Sequence, residues 1–188
     1  MTEMNRLPLT VLMAAVALLS ACGPAEDPNA NKVPSACLAL GASDASAILG
    51  VQVMPNKLTG DDAPMSVCAY KDDKDNSIGL AQIKSNKKIA DPAADLAGDR
   101  DEITGLQKVA VKPGKIHDAQ GFGPGAFFLD QYTGPSTISV ELHVNQNGYK
   151  VMAQVNNPAN FASGEGTAGA MVQKIFVNIQ NGSGLTSL

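Results

Sequence analysis

The sequence predicts an α+β domain in which a twisted antiparallel sheet is packed by a C-terminal helix and shorter N-terminal helices. Three observations carry this reading. The stretches Thr137–Asn145 and Tyr149–Val155 alternate apolar and polar residues around Asn147-Gly148, the dipeptide that favours a type I′ hairpin turn. Met171, Val172, Ile175, Phe176 and Ile179 recur at helical spacing, an apolar stripe suited to covering a sheet. Finally, the patterns run helix, hairpin, helix, several strands, helix, without the regular strand–helix alternation of a parallel sheet.

Taken in order, Ser43–Gly50 opens on a residue suited to an N-cap and ends on a glycine suited to the left-handed position after a helix. Val67–Lys71 and Ser77–Ser85 alternate on either side of the polar turn Asp72–Asn76, which predicts a hairpin carrying Cys68. Asp91-Pro92 supplies a cap and a first-turn proline for a weakly apolar helix to about Thr104, with Leu96, Arg100 and Ile103 on one face. Strands follow at Gln107–Val111, Ala126–Gln131, Thr137–Asn145 and Tyr149–Val155. In Thr137–Asn145, Ile138, Val140, Leu142 and Val144 face one way, and Ser139, Glu141, His143 and Asn145 the other. The sheet should therefore have one covered face and one wetter face. The closing helix is expected from about Glu165 to Asn178 and should cover the apolar face.

The chain has 188 residues, 44% apolar and 17% charged, with a formal net charge of −4. That is the composition of one ordinary globular domain. Its 14 basic residues are scattered rather than clustered, which argues against nucleic acid as a partner, since that binding needs a basic stripe.

Much of the apolar content sits in the uncharged run Leu7–Leu19, preceded by Arg6 and followed by small residues. These flanks mark a signal peptide. At thirteen residues the run is shorter than the roughly 17 to 25 needed to span a bilayer. It ends Leu19-Ser20-Ala21-Cys22, which resembles the lipobox of bacterial lipoproteins. The resemblance implies cleavage before Cys22, a diacylglycerol on its thiol, and stable anchoring once further chains are added. Gly23, rather than Asp, then implies the outer membrane, facing the periplasm, if the envelope is Gram-negative. Glu3 and Pro8 depart from the usual basic, unbroken pattern. The alternative is an ordinary cleavage site beside an unmodified cysteine.

If Cys22 is acylated, Cys37 and Cys68 remain, and in an oxidising compartment they have only each other to pair with. Closing that loop of about 32 residues should contribute roughly 3.5 to 4 kcal/mol in the chain-entropy model. A reactive thiol pair would instead favour Cys-x-x-Cys spacing or a nearby cation at a helix start. Three prolines and few apolar residues make 22–34 a flexible tether, with a reach of about 20 Å. The expected organisation is thus a signal peptide at 1–21, a lipidated tether at 22–34 and a globular domain at 35–188.

Within that domain, Cys37-Leu38 precedes a short helix ending Ile48-Leu49-Gly50, and Cys68-Ala69-Tyr70 lies on a strand. Gly121-Phe122-Gly123-Pro124-Gly125-Ala126-Phe127 then leads into a strand, a paired hairpin and a terminal helix. Together with the lipobox, this resembles small bacterial envelope lipoproteins of unknown function with a PsbP-like α/β domain. The likeness spans most of 35–180 and implies the fold. That group shows Gly-x-Gly-Asp-Ala-aromatic where Pro124-Gly125 stands here, and it transfers no active site.

Candidate chemistry is sparse. There are two histidines. His143 shares a strand face with Glu141, which makes two-thirds of a metal site or an acid/base pair, but a catalytic zinc needs three protein ligands. The plainer account is a polar strand face in water. His117 is expected in a loop. Reading Asp73, Asp75 and Ser77 as the start of an EF-hand loop puts Lys84 where the bidentate glutamate belongs, so calcium is not implied. Gly121, Gly123 and Gly125 lack the Lys-Ser/Thr of a phosphate loop and precede a strand, not a helix. Phe122, Phe127 and Phe128 within seven positions could line a pocket or partner patch, or pack under the sheet. No Gly-x-Ser-x-Gly motif occurs. The sequence thus implies no catalytic residue, metal or cofactor. It points to a membrane-anchored envelope lipoprotein binding a partner protein or small ligand, with Phe122, Phe127, Phe128, Glu141 and His143 as the candidate surface. The alternative is an envelope hydrolase or metal-dependent enzyme on the Glu141/His143 face.

Overall fold

A computed structural model describes residues 33–60, 63–110 and 112–182. The signal segment, Cys22, the tether up to residue 32 and Val111 lie outside the described residues. Two short helices come first, α1 (Ala36–Ala39) and α2 (Ala42–Leu49). Next are strands β1 (Met54–Lys57), β2 (Met65–Lys71) and β3 (Ser77–Ser85), helix α3 (Pro92–Gln107), then β4 (Lys115–Asp118), β5 (Phe127–Tyr132), β6 (Ile138–Gln146) and β7 (Tyr149–Asn156), and finally helix α4 (Phe161–Gln180). The seven strands form one antiparallel sheet in the order β1-β2-β3-β7-β6-β5-β4. The fold is the expected α+β class, and the described residues form one compact unit. Among the described residues no helix is long and apolar enough to cross a membrane.

The period of two in each strand sorts side chains between the faces. On one face Val140, Leu142 and Val144 of β6 pair with Val155, Ala153 and Val151 of β7, which meet Gly79, Ala81 and Ile83 of β3. Cys68 and Tyr70 of β2 and Phe128 of β5 continue that face. It is the core, covered by Ala168, Met171, Val172, Ile175 and Ile179 of α4 and by Ala36, Ala39 and Ala45 of α1 and α2. Cys37 and Cys68 are disulfide-bonded, with Cα atoms 5.1 Å apart, so the bond ties α1 to β2. The buried Tyr70 hydroxyl donates to the Leu40 carbonyl at 2.8 Å and secures the end of the same short helix. Val33 also packs against this core and Pro34 is buried, so the folded unit includes two residues that the sequence assigns to the tether.

Local chemistry explains most boundaries. Asn147 (φ 54) and Gly148 (φ 77) both take the left-handed conformation that a type I′ turn requires between β6 and β7. Gly50 (φ 71) ends α2 as expected, but the N-cap is Gly41 rather than Ser43. Asp44 lies in the first turn, where its carboxylate meets Lys174 and Asn178 of α4. Asp91 caps α3 by accepting from the Ala93 and Ala94 amides.

Four expectations are corrected. The strand expected at Gln107–Val111 is absent over its described residues 107–110, because α3 runs on to Gln107, whose side chain accepts the Gly114 amide at 2.6 Å. Val109 is left 83% exposed, and the strand lies further on, at β4. His117 is therefore on a strand, not in a loop. The closing helix starts at Phe161 rather than Glu165, because Asn160 and Ser163 form a reciprocal capping box that overrides the low helix propensity of Gly164 and Gly166. Finally, the second face is less wet than alternation suggests. Helix α3 lies over it with Leu96 fully buried, and Asn145 reaches the Pro92 carbonyl and Asp95, while Lys150 pairs with Asp95 and Asp99.

Candidate functional site

Glu141 and His143 project from β6 onto the second face, as their parity requires. They are joined by a 3.1 Å contact between His143 Nε2 and Glu141 Oε2, and Gln131 of β5 donates to Glu141 Oε1 at 2.6 Å. The Phe127 ring stacks on the His143 imidazole with centroids 4.6 Å apart. Side-chain exposures are 12% for His143 and 16% for Glu141, so this is not the solvated face expected from the sequence. The cause is the aromatic ring on one side and the neighbouring strand's amide on the other. Both polar groups are satisfied locally, and among the described residues no third metal-ligating side chain joins them.

The three phenylalanines do not form one surface. Phe127 and Phe128 are successive residues of β5, so one lies beside His143 and the other in the core. Only Phe122 and Phe128 meet, edge to face at 6.2 Å. Phe122 stands in the glycine-rich loop, which turns through left-handed conformations at Gly121, Gly123 and Gly125. Its ring lies over α4 at Gly169, where a Cβ would stand 2.8 Å from Phe122 Cζ. The helix has no side chain at this point, and the ring takes the space. Alongside is a shallow groove of about 390 Å³ whose lining includes Phe122, Phe128, Ala162, Glu165, Gly169 and Gln173.

Through Glu165 the groove adjoins a cluster that sequence reading missed. His117 of β4, Asp130 of β5 and Glu165 of α4 bring one ligand atom each to within 4.8 Å of one another. His117 Nε2 is 3.3 Å from Asp130 Oδ2 and 3.4 Å from Glu165 Oε1, and its ring packs beside Phe128 at 5.5 Å. The Asp130 side chain is only 7% exposed, and its Oδ1 has no hydrogen-bond partner. Two signals were available. Asp130 is the one charged residue in the strand FFLDQY, and Glu165 the one acid in the closing helix. Their convergence with His117 depends on strand pairing and helix docking, which local pattern does not encode.

The fold and this geometry define a class: a disulfide-stapled α+β protein with an antiparallel sheet, a shallow groove along its closing helix and a three-residue polar cluster that shares Glu165 with the groove. No family model matches the chain, and no curated protein matches it.

Proposed function

We propose that this chain is a membrane-anchored envelope lipoprotein, acylated at Cys22, whose PsbP-like domain binds a partner protein or small ligand in the groove beside Phe122. The observation that carries the reading is the Cys37–Cys68 disulfide. Such bonds persist in oxidising compartments outside the cytoplasm. The pairing leaves Cys22, at the lipobox-like junction, as the one cysteine outside the staple. The groove supports a binding role because Ala162 and Gly166 on its α4 side carry little or no side chain, which admits close approach. Glu141 and His143, the pair an enzymatic reading would use, are engaged by Gln131 and Phe127, which favours the binding reading over the enzymatic one.

Mass spectrometry of the mature protein should find a diacylglyceryl-modified Cys22 at the amino terminus, and Cys22→Ser should leave the membrane fraction. An unmodified Cys22, with membrane association unaffected by the substitution, would defeat the anchoring. For the groove, a photo-crosslinking residue at Gln173 should capture a discrete species in intact envelopes that the same group at exposed Leu106 does not. Equal labelling from the two positions would remove the groove from the proposal.

A further inference from the structure

We propose that His117, Asp130 and Glu165 form a binding site for a divalent transition metal, with zinc as the best fit. The first argument is spacing. A single Nε2–H can make one good hydrogen bond, yet His117 Nε2 stands at 3.3 and 3.4 Å from two carboxylate oxygens. Both separations exceed the usual 2.7 to 3.2 Å of an N–H···O bond. They match the edge of a coordination tetrahedron, since bonds of about 2.0 to 2.1 Å at the tetrahedral angle place ligand atoms about 3.3 to 3.4 Å apart.

The second argument is charge. Asp130 is buried with one oxygen unpartnered, and its cross-strand neighbour Lys115 is exposed and makes no ion pair with it. Among the described residues no lysine or arginine pairs with Asp130 or Glu165. Burying a carboxylate oxygen without a partner is costly, and a dication between the two carboxylates would offset that cost. The donor set selects the ion. One imidazole nitrogen with two carboxylates suits zinc and its neighbours, whereas calcium and magnesium favour all-oxygen shells of six or more. Three protein ligands leave the fourth corner to water or a ligand. His117 and Glu165 are each partly exposed, at 28% and 29%, so an ion has a way in from solvent. The inference rests on these side chains and is independent of the anchoring proposed above.

The test uses the purified full chain carrying Cys22→Ser, which removes a competing thiol, stripped with chelator and titrated with zinc chloride by calorimetry. One zinc should bind per chain with a dissociation constant at or below about 1 μM. Loss of an outer-shell partner alone weakens metal affinity by about 10- to 100-fold, so Glu165→Gln and His117→Ala should each weaken it by about 100-fold or more. Glu141→Gln, on the other face of the sheet, should change it less than about threefold. Absence of saturable binding in the parent chain would overturn the proposal, as would equal affinity in the Glu165→Gln and His117→Ala chains. Should a variant fail to fold, anomalous diffraction at the zinc edge from the parent chain decides. A peak within bonding distance of all three residues supports the site, and zinc located only elsewhere overturns it.

Discussion

Adding one methyl group to α4 should give opposite results at two glycines two residues apart. A Cβ at Gly164 would lie 2.6 Å from Val140 Cγ2 and 2.9 Å from Pro158 Cγ. Neither neighbour can yield easily. Val140 is fully buried in the middle of the sheet and stiff at χ1, and Pro158 is a closed ring. Overpacking of this kind costs about 1 to 3 kcal/mol. Replacing glycine by alanine in a helix returns up to about 1 kcal/mol, so Gly164→Ala should be destabilised by about 1 to 2 kcal/mol. For a domain of this size that lowers the melting temperature by roughly 3 to 8 °C. At Gly166 a Cβ meets nothing within 4 Å. There the helix-propensity gain stands alone, and Gly166→Ala should raise stability by about 0.5 to 1 kcal/mol. Thermal and urea unfolding of both full-length variants, followed by far-ultraviolet circular dichroism, measures the difference. If Gly164→Ala melts at or above the parent, or both variants shift the same way, the close packing of α4 on β6 is refuted.

Removing the staple with Cys37→Ser/Cys68→Ser should cost roughly 3.5 kcal/mol, seen as an earlier urea midpoint, and an unchanged midpoint would deny the bond a structural role. Stability should also fall at alkaline pH. Burial raises the Tyr70 hydroxyl well above its ordinary pKa. At Lys150, burial pulls the ammonium down, but hydrogen bonds and charge from Asp95 and Asp99 outweigh it and hold the group above its usual value. Both groups bind their protons more tightly when folded, so their contribution is complete below about pH 10 and lost as pH rises toward the folded values. Urea midpoints between pH 8 and 11 test this, and stability that stays level or rises above pH 10 would contradict it. Tyr70→Phe should cost about 1 to 2 kcal/mol at neutral pH, through the orphaned Leu40 carbonyl, and should shrink the alkaline loss. An unaltered pH profile in that variant would remove Tyr70 from the explanation.

Where a feature depends on neighbours along the chain, the residues could be read directly. Asn147-Gly148 demanded its turn, and the alternation of Ile138 to Asn145 assigned each side chain to the correct face. Asp91 and Pro92 marked the start of α3. Asp72 shows the same locality at the β2–β3 turn. Its carboxylate accepts from the Asn76 side chain and from the Asn76 and Lys74 amides, and the Asn76 bonds hold its pKa below the usual carboxylate value. Hence the acidic run that invited a calcium reading is a turn that satisfies itself. The errors fell where packing outvotes pattern. Val109 looked like part of a strand, but the sheet edge forms at Lys115–Asp118, paired with β5. Strand β1 and helix α1 are short, and they exist through pairing with β2 and attachment to Cys68 and Tyr70.

By itself, then, the sequence determined the α+β class, the main hairpin, the residues of the apolar stripe and the pair of cysteines available for a staple. All of these follow from side-chain period and from contacts a few residues apart. Only the tertiary structure decided that Phe127 and Phe128 serve opposite faces, that α3 shields the polar face, and that His117, Asp130 and Glu165 converge. The outermost two of those residues, His117 and Glu165, are 48 positions apart in the chain (165 − 117). Their meeting depends on the β4–β5 register and on how α4 lies across the sheet, both set by the burial of the same apolar face from many separate segments.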